Sequence, residues 1–345
     1  MSIVIAILIF SLIIIFHEFG HCIVAKKNGI RVEEFSVGLG PKLVGFKKGE
    51  TFYCIKLLPF GGACVMTGED EASDDPKSFS QKSVWARMAV VFAGPFFNFI
   101  LAFLLSIVLI SMIGVDEPYI SEVVDGSAAM EAGLKQGDKI TGIDGTHIGV
   151  YRDISNYLTL HPGKADDVLT ITYIRDGEKN TCRLSPKYDE ESGRYLLGVV
   201  GSERKKVNPL KIIGYSFYEV KYWIAVTIDS LKLMVTGNVS LNDVSGPVGI
   251  VNTIGQTYTQ SLEVSIFAVV VNLMNISILL TANLGVMNLL PIPALDGGRL
   301  IFLIIEAIRG KRVNPEKEAM VHFAGLMILL GLMVVIMAND IRNLF

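Results

Sequence analysis

Cysteine is scarce and scattered. Cys22, Cys54, Cys64 and Cys182 are the four in 345 residues, and no two stand at C-x-x-C spacing. That excludes a disulfide framework and a zinc site built from cysteines. Also missing is a basic stripe: 31 Lys and Arg face 34 Asp and Glu, a net charge of −3, which argues against a nucleic-acid partner. Charge of either sign is absent from residues 2–16, 88–115 and 264–295. A spanning helix needs only ~20 apolar residues, so with 51% hydrophobic residues the chain reads as a membrane protein. The first run lacks a basic leader and a small-residue cleavage site, and it continues to Ala25, so it reads as a retained helix.

Four spans are expected: the first run to Ala25, 88–115, 264–295 and 319–339. Gly94-Pro95 and Asn98 interrupt the apolar run of the second. The third, with Gly285, Asn288, Pro291 and Pro293, is expected to stop being helical before Asp296. Lys26, Lys27, Arg31, Lys82 and Arg87 flank the first two spans, and Arg299, Arg309, Lys311, Arg312 and Lys317 lie between the last two. By the positive-inside rule, loops 26–87 and 299–318 are cytosolic, and both termini and 116 to about 262 are outside.

Between the first two spans, Thr51 to Leu58 is rich in β-formers, and Gly38, Gly40, Gly45 and Gly61-Gly62 punctuate the stretch, so a hairpin near lipid is expected. Residues 69–75 form an acidic link. Residues 116–205 have soluble composition: a β-run from Val168 to Ile174, the turn Asp176-Gly177, and a short helix, Ala-Gly-Leu turn and Gly-Asp-x-Ile strand across 126–145. Across 209–235, Ile213, Phe217, Val220, Ile224, Ile228, Leu231 and Val235 recur at helical spacing. With Tyr215, Tyr218, Tyr222 and Trp223 alongside, this is either an interfacial helix or one packed on the soluble domain. The expected domains are 1–115, 116–205, 206–262 and 263–345.

What the first span does contain is His17-Glu18-Phe19-Gly20-His21. Histidines at i and i+4 project from one helix face, and the intervening Glu can act as base on a water activated by the metal. Ionisable groups at membrane depth need a reason, and a metal supplies one. Hydrolytic zinc sites commonly use three protein ligands. His147 and His161 lie in the soluble region, and His322 reads as interfacial. Asp296 stands out after its charge-free run, beside Gly297-Gly298; as an alternative it caps the helix that starts there.

His17-Glu-Phe-Gly-His21 resembles the first zinc motif of the site-2 protease family of intramembrane metalloproteases. Asn288-Leu-Leu-Pro-Ile-Pro-Ala-Leu-Asp-Gly297 matches its N-x-x-P-x-P-x-L-D-G motif, Gly94-Pro95-Phe96-Phe97-Asn98 its G-P-x-x-N element, and Ser245-Gly-Pro-Val-Gly-Ile250 the segment before its third core helix. Residues 126–145 are similar to a PDZ domain of the bacterial RseP/RasP branch, although the usual Ser-Pro-Ala is Ser127-Ala128-Ala129 and a single such unit is visible. These motifs cover nearly the whole chain in the family's order.

The resemblance implies a polytopic α-helical membrane protein with about four transmembrane helices, a membrane-associated β-hairpin and an inserted extracytoplasmic PDZ-like (α+β) domain, in a bacterial plasma membrane. It implies Zn²⁺ held by His17, His21 and Asp296, Glu18 as catalytic base, and hydrolysis within transmembrane segments of single-pass substrates. Such substrates, pre-trimmed anti-sigma factors or signal-peptide remnants among them, are first cut by an upstream site-1 type protease. It further implies that the hairpin near 51–66, with the Gly38-Leu39-Gly40 turn, pairs with the unwound substrate, and that Asn283 and Asn288 hold its freed backbone groups; satisfying their own irregular backbone is the alternative for these amides. Lipid is a further partner and nucleic acid is not. The rival class is a non-catalytic zinc-binding scaffold whose PDZ-like domain recruits partners, which would have no use for Glu18. An ion transporter is disfavoured because no internal repeat is visible.

Overall fold

A computed structural model describes residues 1–69, 73–161, 167–190, 194–236 and 245–344; Asp70, Glu71 and Ala72 of the acidic link lie outside them. The chain forms two compact units, Met1–Ser106 with Val220–Phe345, and Ile107–Glu219.

In the first unit, α1 (Ser2–Lys27) carries the His-Glu motif without a break. β1 (Val32–Lys48) and β2 (Thr51–Met66) follow, then α2 (Val84–Ile113). The strands form more than the expected hairpin. Residues 34–37 pair with 52–55 on one side and with 62–65 on the other, while 42–48 pair with 51–56. Each strand is therefore bent back, giving four adjacent ribbons with 42–48 and 62–65 at the edges. Gly38 and Gly61, with φ of +87° and +85°, occupy bends that a residue with a Cβ resists. Leu43, Val44, Phe46 and Ile55 stay exposed on the sheet.

α2 carries Gly94-Pro95 within it: the helix runs through Pro95 for 30 residues, and such prolines are tolerated where neighbouring helices satisfy the freed carbonyl. Its glycine serves the contact with α1, as described below.

The soluble unit matches the expected local signals. It contains β3 (Ile120–Val123), α3 (Ala128–Glu131), β4 (Lys139–Ile143), β5 (Thr146–His147), α4 (Arg152–Leu160), β6 (Leu169–Arg175), β7 (Glu178–Leu184), β8 (Lys187–Asp189), β9 (Arg194–Leu196) and β10 (Val199–Gly201). Ser127 caps α3 by accepting the Met130 N–H. Asp144-Gly145 and Asp176-Gly177 have positive φ at both positions, the requirement of a tight hairpin turn. The sheet order is β5-β4-β6-β7, with β10 pairing β3 separately. Ile140, Ile143 and Ile171 are fully buried in the core beside Ala129 and Ile120. Leu169, Ile171 and Tyr173 alternate along β6 in the half-buried strand pattern, while a register shift after Ile140 lets both isoleucines of β4 face the core.

α5 (Pro209–Val235) is a single helix. Its first half belongs to the soluble unit, where Tyr218 donates to Asp153 at 2.7 Å, Tyr215 donates to Glu117 at 2.7 Å, and Glu219 pairs with Arg152. This widens the unit beyond 116–205. That half makes the contacts expected of a helix packed on the soluble domain.

α6 (Pro247–Val264) was not expected, being too polar to stand out. Asp340 explains the Ser-Gly-Pro-Val-Gly-Ile segment: its two carboxylate oxygens accept from Gly246 N–H at 3.0 Å and Gly249 N–H at 2.8 Å. A Cβ on either glycine would crowd that carboxylate. The third span, α7 (Ile266–Leu289), ends before the proline-rich loop, as expected, and α8 (Asp296–Arg309) and α9 (Pro315–Leu344) complete the unit. Among the described residues, four helices, α1, α2, α7 and most of α9, are long and apolar enough to cross a membrane.

Candidate metal centre

Helical periodicity sets His17 and His21 one turn apart on α1, and both rings are buried. Glycines let α2 approach them. A Cβ on Gly20 would strike the Ala93 carbonyl, and one on Gly94 would strike both imidazoles. The loop after α7 brings Asp296 from the far end of the unit. A Cβ on Gly297 or Gly298 would meet the carbonyls of Leu289, Leu290 and Ile292, so this tight return requires the glycine pair that follows the aspartate.

The three donors converge. His17 Nε2 is 3.2 Å from His21 Nε2, and Asp296 Oδ2 is 3.1 Å from the first and 3.6 Å from the second. Three ligands ~2.0–2.1 Å from one tetrahedral centre stand about 3.3 Å apart, so the spacing fits a shared zinc. Asp296 Oδ2 is buried without a hydrogen-bond donor, the state expected of an oxygen reserved for a cation. Asp296 is not the N-cap of α8, a role compatible with ligation: the helix begins at Asp296 itself, and Leu295 before it forms no side-chain cap bond.

Outer contacts orient both rings. His21 Nδ1 lies 2.8 Å from the Val90 carbonyl, which accepts its N–H and leaves the Nε2 lone pair directed at the centre. His17 Nδ1 lies 3.2 Å from Asn98 Nδ2, and the Asn98 Oδ1 beside it is buried without a partner, so turning the amide over satisfies both groups. Amide oxygen and nitrogen are assigned from the network, and an Nε2 ligand needs its Nδ1–H accepted, so the Asn98 oxygen belongs there. Asn98 is fully buried, and its backbone carbonyl accepts from Thr281 at 3.2 Å. The sequence quoted Asn98 without giving it a partner; its signal was an amide within a charge-free span.

Glu18 is half-buried beside the donors, and its Oε2 accepts the Cys64 N–H at 2.9 Å. That N–H comes from the edge ribbon 62–65, so this edge of the sheet is turned toward the Glu carboxylate. A cavity of about 200 Å³ is lined by His17, Glu18, His21, Asp296, Cys64 and the paired Glu69 and Arg299, among others. Asn283 and Asn288 are half-buried on α7, Gly38 and Gly40 sit at the bend against Leu58, and none of the four is among the described residues lining that cavity. His147 and His161 lie in the soluble unit, the latter stacked on Tyr157.

The chain is similar to known proteins over nearly its full length. The model of Peptidase family M50 matches residues 5–332. Zinc metalloprotease RasP of Bacillus licheniformis is 35% identical, covering 98% of this chain and 98% of its own. Regulator of sigma-W protease RasP of Bacillus subtilis is 32% identical with the same coverage. Among solved structures, the PDZ domain of an SdrC-like protein from Listeria monocytogenes aligns with 26% of this chain and 90% of its own at 24% identity, with a TM-score of 0.23. With a motif-bearing first span, a returning aspartate and this match over nearly its full length, the chain belongs to peptidase family M50, the site-2 proteases.

Proposed function

We propose that this multi-pass membrane protein is a zinc endopeptidase that hydrolyses peptide bonds within transmembrane segments, with His17, His21 and Asp296 as zinc ligands and Glu18 as the catalytic base. The convergence of three buried donor atoms within 3.6 Å of one another beside a carboxylate carries the reading. Zinc, when bound there, supplies the Lewis acidity that polarises a carbonyl and acidifies a water. Val90 and Asn98 hold the two imidazoles in the ligating tautomer. Glu18, oriented by the Cys64 N–H, takes the proton from the attacking water and passes it to the leaving amine.

A transmembrane substrate hides its carbonyls in helical hydrogen bonds and must unwind before attack. The edge ribbon 62–65 takes the unwound segment as an added strand; its Cys64 N–H already faces Glu18. Substrates are single-pass proteins trimmed beforehand, anti-sigma factors or signal-peptide remnants among them. The protein resides in a bacterial plasma membrane with the soluble unit outside, where that unit screens out bulky ectodomains. Deleting 116–205 is expected to admit an untrimmed substrate; no gain in its cleavage would remove the filter from the model.

The deciding experiment is cleavage of a tagged model transmembrane helix by the purified protein in detergent. Wild type is compared with Glu18→Gln and with a chelated sample later given zinc. Cleavage is expected to vanish in both and return with zinc. Unchanged cleavage by Glu18→Gln would remove the base assignment, and silence of the zinc-loaded wild type across several substrates would return the scaffold reading.

A further inference from the structure

Three non-glycine residues among those described have a positive φ: Asp144, Asp176 and Ala294. The two aspartates sit in Asp-Gly hairpin turns, which favour that conformation. Ala294, at +76°, is the third residue of a turn closed by Leu295 N–H donating to the Ile292 carbonyl at 3.2 Å, with Pro293 before it, a place that favours glycine and is here filled by alanine. It stands two residues before Asp296 and lines the metal cavity. A Cβ-bearing residue resists the left-handed region and stays there only when its surroundings hold it.

The last helix supplies the hold. Ala294 N–H donates to His322 Nδ1 at 2.9 Å, which puts the proton of a neutral His322 on Nε2. One turn along α9, Gly325 is buried against Pro293, where a Cβ would collide with the proline ring and carbonyl. Residues 322 and 325, three apart, share one face of a helix. The loop is thus gripped from α9 at 293 and 294, while Gly297 and Gly298 close its other side against Leu289, Leu290 and Ile292. His322, expected at the membrane interface, is bonded to the backbone that delivers the aspartate.

We infer that His322 is a positioning residue: by accepting the Ala294 N–H it holds the left-handed turn that aims Asp296 at His17 and His21. This rests on the metal-centre reading above. The test measures zinc affinity by chelator competition on the full-length protein in detergent, alongside its cleavage rate. His322→Leu, which keeps bulk and removes the acceptor, is expected to weaken zinc binding about tenfold, the low end for residues that support a ligand. His322→Asn, whose amide oxygen can replace Nδ1, should recover most of that loss. Ala294→Gly should shrink the His322→Leu penalty, because glycine adopts the turn without help, and the two substitutions should be non-additive.

Unchanged affinity in His322→Leu would overturn the inference. So would an Asn variant as weak as the Leu variant, or a penalty undiminished beside Ala294→Gly; either would make His322 a packing residue. Wild type that fails to bind zinc, or Asp296→Asn that binds it as well as wild type, would instead overturn the metal-centre reading beneath it.

Discussion

Asp138 and Asp296 are two aspartates drawn into protein interiors, one in each unit, and they are treated in opposite ways. Asp138 is buried with its needs met: it accepts the Lys135 N–H at 2.8 Å and a forked pair from Arg175, both at 2.7 Å. Asp296 turns its buried Oδ2 toward two imidazole nitrogens, and that oxygen has no hydrogen-bond donor among the described residues. A satisfied buried carboxylate is architecture, and an unsatisfied oxygen grouped with other lone pairs is the donor set a cation needs. Burial alone does not separate them; the inventory of donors does.

The comparison predicts its largest effect from paired substitutions. Asp296→Asn should lower zinc retention by on the order of 100-fold or more, since even residues that merely support a ligand cost 10–100-fold. Cleavage should go with it, while unfolding of the zinc-free protein stays put. Asp138→Asn should leave zinc untouched and destabilise the soluble unit by about 2 kcal/mol, the value of a charge-assisted bond. Chelator competition and thermal unfolding in detergent read the two separately. Loss of zinc in the Asp138 variant would break the contrast.

A smaller effect is expected one layer out. Asn98→Ala should weaken zinc binding by about 10-fold, as loss of an orienting partner does, whereas Asn98→Asp, which still accepts from His17 Nδ1, should hold the metal better. The counterpart in the soluble unit is Tyr218→Phe, which removes the hydroxyl donated to Asp153. It should cost about 1 kcal/mol of stability and nothing in zinc. Equal zinc affinities for the Ala and Asp variants at 98 would take away its orienting role.

How far these features could be read in advance follows from the range of the forces that make them. The His-Glu motif, the break before Asp296, the hairpin turns at Asp144-Gly145 and Asp176-Gly177, and the apolar spans all rest on local spacing or run length, and sequence carries those directly. The sheet of 32–66 was read only as a hairpin, because its fourfold pairing depends on where Gly38 and Gly61 bend the strands, a long-range matter. α6 escaped notice because Asn252, Gln256, Thr259 and Gln260 dilute its apolar face; the cap that starts it comes from Asp340, 94 residues away from Gly246. Asn98 and His322 were visible as residues and opaque as roles. Each acts through one contact across a distance of 81 or 28 residues, and spacing cannot name such a partner.

The smallest expected effect concerns pH, and it should divide the two units again. Burial, followed by its bond to Asp144 at 3.0 Å, pushes the Tyr157 hydroxyl up to about 12. Burial also raises Tyr151, Tyr215 and Tyr218 of the same unit. A raised folded-state value means that folding favours the protonated hydroxyl. The associated stability is complete below the unfolded value of ~10 and is lost as pH climbs through the folded one. Unfolding of the soluble unit, followed by tyrosine fluorescence in a urea series, should therefore become easier between pH ~10 and about 12. Tyr157→Phe should be slightly less stable at neutral pH, having lost one hydrogen bond, yet flatter across that alkaline window. Because three other tyrosines titrate alongside, the slope should diminish without vanishing. A slope unchanged in Tyr157→Phe would assign the alkaline sensitivity to the tyrosines around Asp153 and Glu117 instead.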